Sequence, residues 1–236
     1  MIKFFRKIRY KLMSENKTSR YFKYAIGEIV LVVIGILIAL QINNWNEGRK
    51  EKAEEKKLIK QLLEDTKNDS IFYNSRLLLF KNQVTSFQSL IDLCKQNIAD
   101  VNSVSFSNET VPFTQAADQS IVSLNNFDYN KIESEGIKKA LTAYLLSYTY
   151  TKKAITIHAN EVSSEFSNFV KTYDFDFSLS DEKIPLKTFL NICDDPKILG
   201  KLKLCQGFSQ NAQAQTERFL KDNTLLIKEC KNYLND

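Results

Sequence analysis

The chain predicts an all-α protein, an N-terminal transmembrane helix continuing into an elongated antiparallel bundle of three long helices plus short ones. Three observations carry this expectation. Residues 24–42, YAIGEIVLVVIGILIALQI, contain an unbroken apolar centre from Ile29 to Leu40. Only six Gly and three Pro occur in 236 residues, too few turn residues for most β architectures. After the apolar run, large side chains recur three and four positions apart over long stretches, the period of a helix face.

Residues 1–18 form a basic amphipathic segment. Phe4, Phe5, Ile8 and Leu12 make a helical stripe, with Lys3, Arg6, Lys7 and Lys11 around the rest of the wheel, as an interfacial helix requires. Residues 19–45 follow as the transmembrane helix, with Ser19 as its candidate N-cap. At about 1.5 Å per residue, the apolar run reaches ~28 Å, close to the thickness of a hydrocarbon core.

The flanks set its orientation. Residues 1–23 hold eight bases and one acid, whereas residues 46–57 mix five bases with four acids. Positive charge accumulates on the cytoplasmic side, so the N-terminus is expected there and the C-terminal bundle outside. Arg20, Tyr21, Lys23 and Tyr24 at the inner boundary and Trp45 at the outer one are the expected membrane anchors. The run is too long for a signal-peptide core and no small-x-small cleavage pattern follows it, so a retained signal-anchor is expected. No Cys follows closely enough for a lipoprotein.

Net charge is +5, but the first 23 residues contribute +7 of it, leaving the remainder slightly acidic. Basicity is therefore a topology and lipid-surface signal, and no nucleic-acid partner is expected.

Residues 46–57, NEGRKEKAEEKK, lack an apolar face and predict a charged helical stalk. From residue 58 to 236 the pattern is that of one bundle domain. Tyr73, Leu77, Phe80, Val84, Phe87, Ile91, Cys94 and Ile98 form a seam that Ile59, Leu62 and Leu63 begin and that Thr66, Asp69 and Ser70 interrupt. One helix is thus expected from about Ser19 to about Asp100. A polar loop over 101–113, a short helix over 114–124 and a break at 125–129 follow. A second long helix, from about Lys131 to Tyr173, is expected to return antiparallel, with Ile137, Leu141, Tyr144, Tyr148, Ile155, Val162, Phe166, Phe169 and Val170 inward. A further turn and a short helix near residues 186–192 precede a last helix with Pro196 in its first turn. Its seam is Ile198, Leu202, Cys205, Ala212, Phe219, Leu226, Cys230 and Tyr233.

Residues 1–47, above all SENK and YAIGEIVLVVIGILIALQINNWN, resemble the opening of a family of single-span envelope proteins of Bacteroidota carrying a domain of unknown function. That family has a segment similar to SxGxL after the distal loop, and Glu133-Ser134-Glu135-Gly136-Ile137 is its nearest counterpart here. The resemblance implies a cell inner membrane protein of a Gram-negative bacterium with a periplasmic bundle. It implies no activity.

Candidate chemistry is sparse. His158 is the only histidine, and Glu161 and Glu165 nearby are too few partners for a metal, so a packed histidine is the favoured reading. No GxSxG elbow supports a hydrolase. No cofactor is expected. Cys94, Cys193, Cys205 and Cys230 lack redox or zinc spacing; in an oxidising compartment the expected pairs are Cys94 with Cys230 and Cys193 with Cys205, the alternative being buried free thiols. Within the span, Gly27, Leu31, Gly35 and Ala39 make an i, i+4 row that lets another helix approach closely. Glu28 is an intramembrane acid that either serves that face or snorkels towards Arg20 and Lys23.

These features predict a non-enzymatic, single-pass membrane protein. Its bundle and span are expected to bind a membrane or periplasmic protein partner, or a second copy. The alternative is a small-ligand-binding sensory bundle that acts through a separate signalling protein.

Overall fold

The computed structural model describes residues 18–95, 103–105, 129–173 and 183–235, together with Tyr10. The chain divides into two compact units, residues 1–55 and 56–236. The expected basic helix at the start, the expected helix over 114–124 and Ile98 lie outside the described residues.

The fold is all-α. Helix α1 spans Thr18–Cys94 in one piece, so Ser19 falls inside its first turn rather than capping it. Strand β1 is Ser103–Ser105. A single 3-10 turn, Tyr129–Lys131, precedes helix α2, Glu135–Tyr173. Strand β2, Lys183–Pro185, leads directly into helix α3, Leu186–Cys193, and helix α4 runs from Pro196 to Asn235. The strands form a two-stranded antiparallel ribbon with Val104 opposite Ile184, where the sequence predicted loop and turn only.

Local chemistry explains the helix starts. Pro196 occupies the first turn of α4, where its missing N–H costs nothing. Asp195 caps that turn, its Oδ1 accepting from the Lys197 N–H at 2.9 Å. The α2 start carries Glu135, an acid at the positive end of the helix dipole, paired with Lys138 at 3.2 Å. Behind it, the far end of the Glu229 side chain occupies the space a Cβ on Gly136 would need.

The second unit is built on three helices, and the direction of α2 differs from expectation. The Tyr144 hydroxyl donates to Asp69. Further along both helices, Phe80 meets the His158 ring at 5.0 Å and Phe87 clusters with Val162. Ascending numbers on α1 thus meet ascending numbers on α2, and the two helices are parallel. Against α4 the order reverses, since Asn223 bonds the Thr66 carbonyl and Gln206 the Val84 carbonyl. Residues 95–134 are long enough to act as a crossover connection, which a short helix-to-helix loop could not do.

Among the described residues the core has two clusters. One gathers Ile59, Leu62, Tyr73, Ile137, Phe219 and Cys230; the other gathers Phe87, Leu90, Val162, Phe189 and Cys205 near the ends of α1 and α3.

Candidate functional site

In the first unit, every residue from 29 to 40 is exposed. Ile34 is 50% and Leu37 57% exposed, on a helix long and apolar enough to cross a membrane. Such a surface is unfavourable in water by roughly 25 cal/mol per Å2, so lipid or protein must cover it. A Cβ placed on Gly27 or Gly35 would meet nothing within 4 Å, and Leu31 and Ala39 on the same row are exposed. Glu28 is half-buried and Lys23 exposed. Arg20, Tyr21 and Tyr24 lie in the first two turns of α1. Trp45 is 67% exposed, with the Arg49 guanidinium 5.4 Å above its ring.

Inside the bundle the seam is more polar than expected. On α1 the buried positions are Glu55, Ile59, Leu62, Thr66, Asp69, Tyr73, Phe80, Gln83, Phe87, Leu90, Ile91 and Leu93. Thr66 and Asp69 do not interrupt the seam; they belong to it, at 0% and 1% exposure. Gln83 takes the place expected of Val84, and Leu77 and Val84 are only half-buried. On α2 the polar members Tyr144, Thr151 and His158 recur every seven residues, as do Ser209, Thr216 and Asn223 on α4. All six are buried.

These groups meet across the helices. Asn223 Nδ2 donates to the Thr66 carbonyl at 3.0 Å, and the Thr151 hydroxyl donates to the Gln215 carbonyl at 2.9 Å. Ser209 Oγ donates to the Cys205 carbonyl at 3.0 Å. The same Oγ lies 3.2 Å from His158 Nε2, and the two groups share a buried hydrogen bond between α2 and α4. Thr66 and Thr216 return their hydroxyls to carbonyls of their own helices. A buried polar group that misses its partner costs about 1–3 kcal/mol, so sliding α2 or α4 by one position is penalised at each rung. The ladder therefore selects one register and one set of directions.

His158 is 3% exposed, and burial lowers its pKa from 6.5 to about 4. At neutral pH it is uncharged and packed in the core against the Phe80 ring. Among the described residues no three His, Cys, Asp or Glu side chains gather. The unfolded chain takes up a proton near pH 6.5 and the folded chain only near 4. Stability is thus complete above 6.5 and falls as pH drops through that window, by about 3 kcal/mol in all. Urea midpoints at pH 7.5 and 4.5 measure this, and His158→Gln should remove much of the difference. Equal slopes for the two proteins would refute the assignment.

The cysteine pairing expected from sequence is corrected. Cys94 is joined to Cys193, with Cα atoms 5.2 Å apart. Cys205 and Cys230 are free and buried. Because α2 runs parallel to α1, the end of α3 falls beside the end of α1, and α4 then carries Cys230 away into the other cluster. Burial pushes both free thiols up to about 12, which leaves them protonated and unreactive packing groups.

A cavity of about 40 Å3 opens between α2 and α4 beside the disulfide end. Its walls include Phe87, Val162, Phe166, Phe169, Ile198 and Leu202. Lys201 and Glu165 also line it and pair at 2.9 Å.

The molecule is thus an all-α protein with, among the described residues, one candidate membrane span and a parallel-then-antiparallel bundle around a polar ladder. Residues 28–194 match the model of a family described as "Family of unknown function (DUF6090)", and the chain belongs to it. That match takes in most of the apolar run, both disulfide cysteines and the ribbon, and ends before α4. No curated protein and no solved structure matches.

Proposed function

We propose that this is a non-enzymatic, single-pass protein of a bacterial inner membrane, with a cytoplasmic N-terminus and a periplasmic bundle. In this reading it docks on a protein partner in the membrane through the face formed by Gly27, Leu31, Gly35 and Ala39. The observation that carries it is the uncovered apolar surface of α1 between residues 29 and 40, with Gly27 just before it and Gly35 within it both facing open space. The basic excess before the run supports the orientation.

Three measurements test it in cells. Alkaline extraction should leave the protein in the membrane pellet. A cysteine at position 57 should react with an impermeant maleimide in intact spheroplasts, whereas one at position 7 should react only after lysis. In mild detergent a photo-crosslinker at position 31 should give one stoichiometric product, which Gly35→Leu with Ala39→Leu reduces at least tenfold. Recovery of the uncrosslinked monomer alone would remove the docking role.

A further inference from the structure

The cavity between α2 and α4 has no part in membrane docking, and its chemistry points to a ligand of its own. We propose that it binds the terminal methylenes of a straight-chain neutral amphiphile, whose hydroxyl head group rests on the Lys201–Glu165 pair. Its volume is about 40 Å3. That is room for about three water-sized spheres, far below the ~150 Å3 cavity that admits a benzene ring. A narrow alkyl chain fits where a ring does not.

The wall chemistry agrees. Phe87, Phe166, Phe169, Val162 and Ile198 offer a water molecule no hydrogen-bonding side chain, and water needs two to four polar partners to remain in a cavity. An alkyl chain needs none. The charged lining groups are the Lys201 ammonium and the Glu165 carboxylate, 2.9 Å apart, with side chains 40% and 25% exposed, and the Cys205 thiol, a weak hydrogen-bonding group, completes the lining. A head group that meets both must accept from Lys201 and donate to Glu165. A hydroxyl does both; a carboxylate is repelled by Glu165, and an ammonium by Lys201.

The full-length protein in lipid nanodiscs, labelled at isoleucine methyl groups, tests this by titration with primary alcohols from butanol to octanol. The Ile198 methyl should shift saturably, with affinity rising about fourfold per added methylene, the transfer gain of one CH2, and levelling off once the cavity is full. Ile34 and Ile38 in the apolar run should shift without saturation as the alcohols enter lipid. Cys205 lines the cavity, and Cys205→Phe, which fills it, should abolish the saturable shift while Ile59 and Ile137 keep their positions. Should that variant not fold, Phe166→Ala enlarges the space and should move the plateau to a longer alcohol. Alkanoates and alkylamines of equal length should bind at least tenfold more weakly. The proposal is overturned by an Ile198 response that tracks Ile34, by a plateau that Phe166→Ala leaves in place, or by equal binding of all three head groups.

Discussion

Phe219→Ala is expected to lower the unfolding free energy by about 4 kcal/mol, the range for emptying a buried aromatic site. Phe219 is fully buried. Its ring centroid lies 4.5 Å from that of Tyr73, 5.0 Å from Tyr144 and 6.2 Å from Tyr148, so it touches aromatic residues of both neighbouring long helices. Those rings cannot collapse into the void, because the Tyr144 hydroxyl is committed to Asp69 and Tyr73 is itself fully buried. The lost contacts therefore add to the lost transfer energy. Urea unfolding followed by far-UV circular dichroism measures it, with Lys221→Ala on the exposed face of α4 as reference. A loss below 1 kcal/mol would mean that α4 does not pack here.

Removing the disulfide should cost at least as much. Cys94 and Cys193 are 99 residues apart in sequence, and closing a loop of that size restricts the unfolded chain by about 4–5 kcal/mol in the chain-entropy account. The double change Cys94→Ser with Cys193→Ser should lower the urea midpoint and release α3 first, because α3 is short and is tied to α1 through that bond. Non-reducing gels give the control: the wild type and Cys230→Ser should run alike and faster than the double variant. If Cys230→Ser alone slows migration, the pairing is Cys94 with Cys230 after all.

Much of the fold was legible. Helix α1 ends at Cys94, short of the expected Asp100, whereas the extents of α2, α3 and α4 follow to within a few residues from apolar periodicity, the scarcity of Gly and Pro, and Pro196. Each is a local property that neighbouring residues impose on one another. The α4 seam was legible for the same reason, since Ala212, Phe219, Leu226 and Cys230 are spaced as a stripe and all are buried.

The polar ladder was harder to see. A search for apolar period treats Thr66 and Asp69 as breaks and prefers Val84 to Gln83, which is one position, a little over a quarter turn, off the true seam there. The signal that would have found it is a second period: Tyr144, Thr151 and His158 on one helix, and Ser209, Thr216 and Asn223 on another, each seven residues apart. Only the pairing of those rows across helices turns them from surface candidates into core groups. The cavity left no sequence signal, because Phe166, Ile198 and Leu202 look the same whether they fill space or border it.

By itself the sequence determined that this chain is helical, that residues 29–40 need an apolar surrounding, and that its positive charge lies before that run. The tertiary structure decided the direction of α2, the phase of the α1 seam and the partner of each cysteine. An apolar stripe is unchanged when its helix is turned end for end, so periodicity cannot distinguish a hairpin from a crossover. Pairs of contacts between named groups can: Asp69–Tyr144 with Phe80–His158 fixes α2, and Thr66–Asn223 with Val84–Gln206 fixes α4.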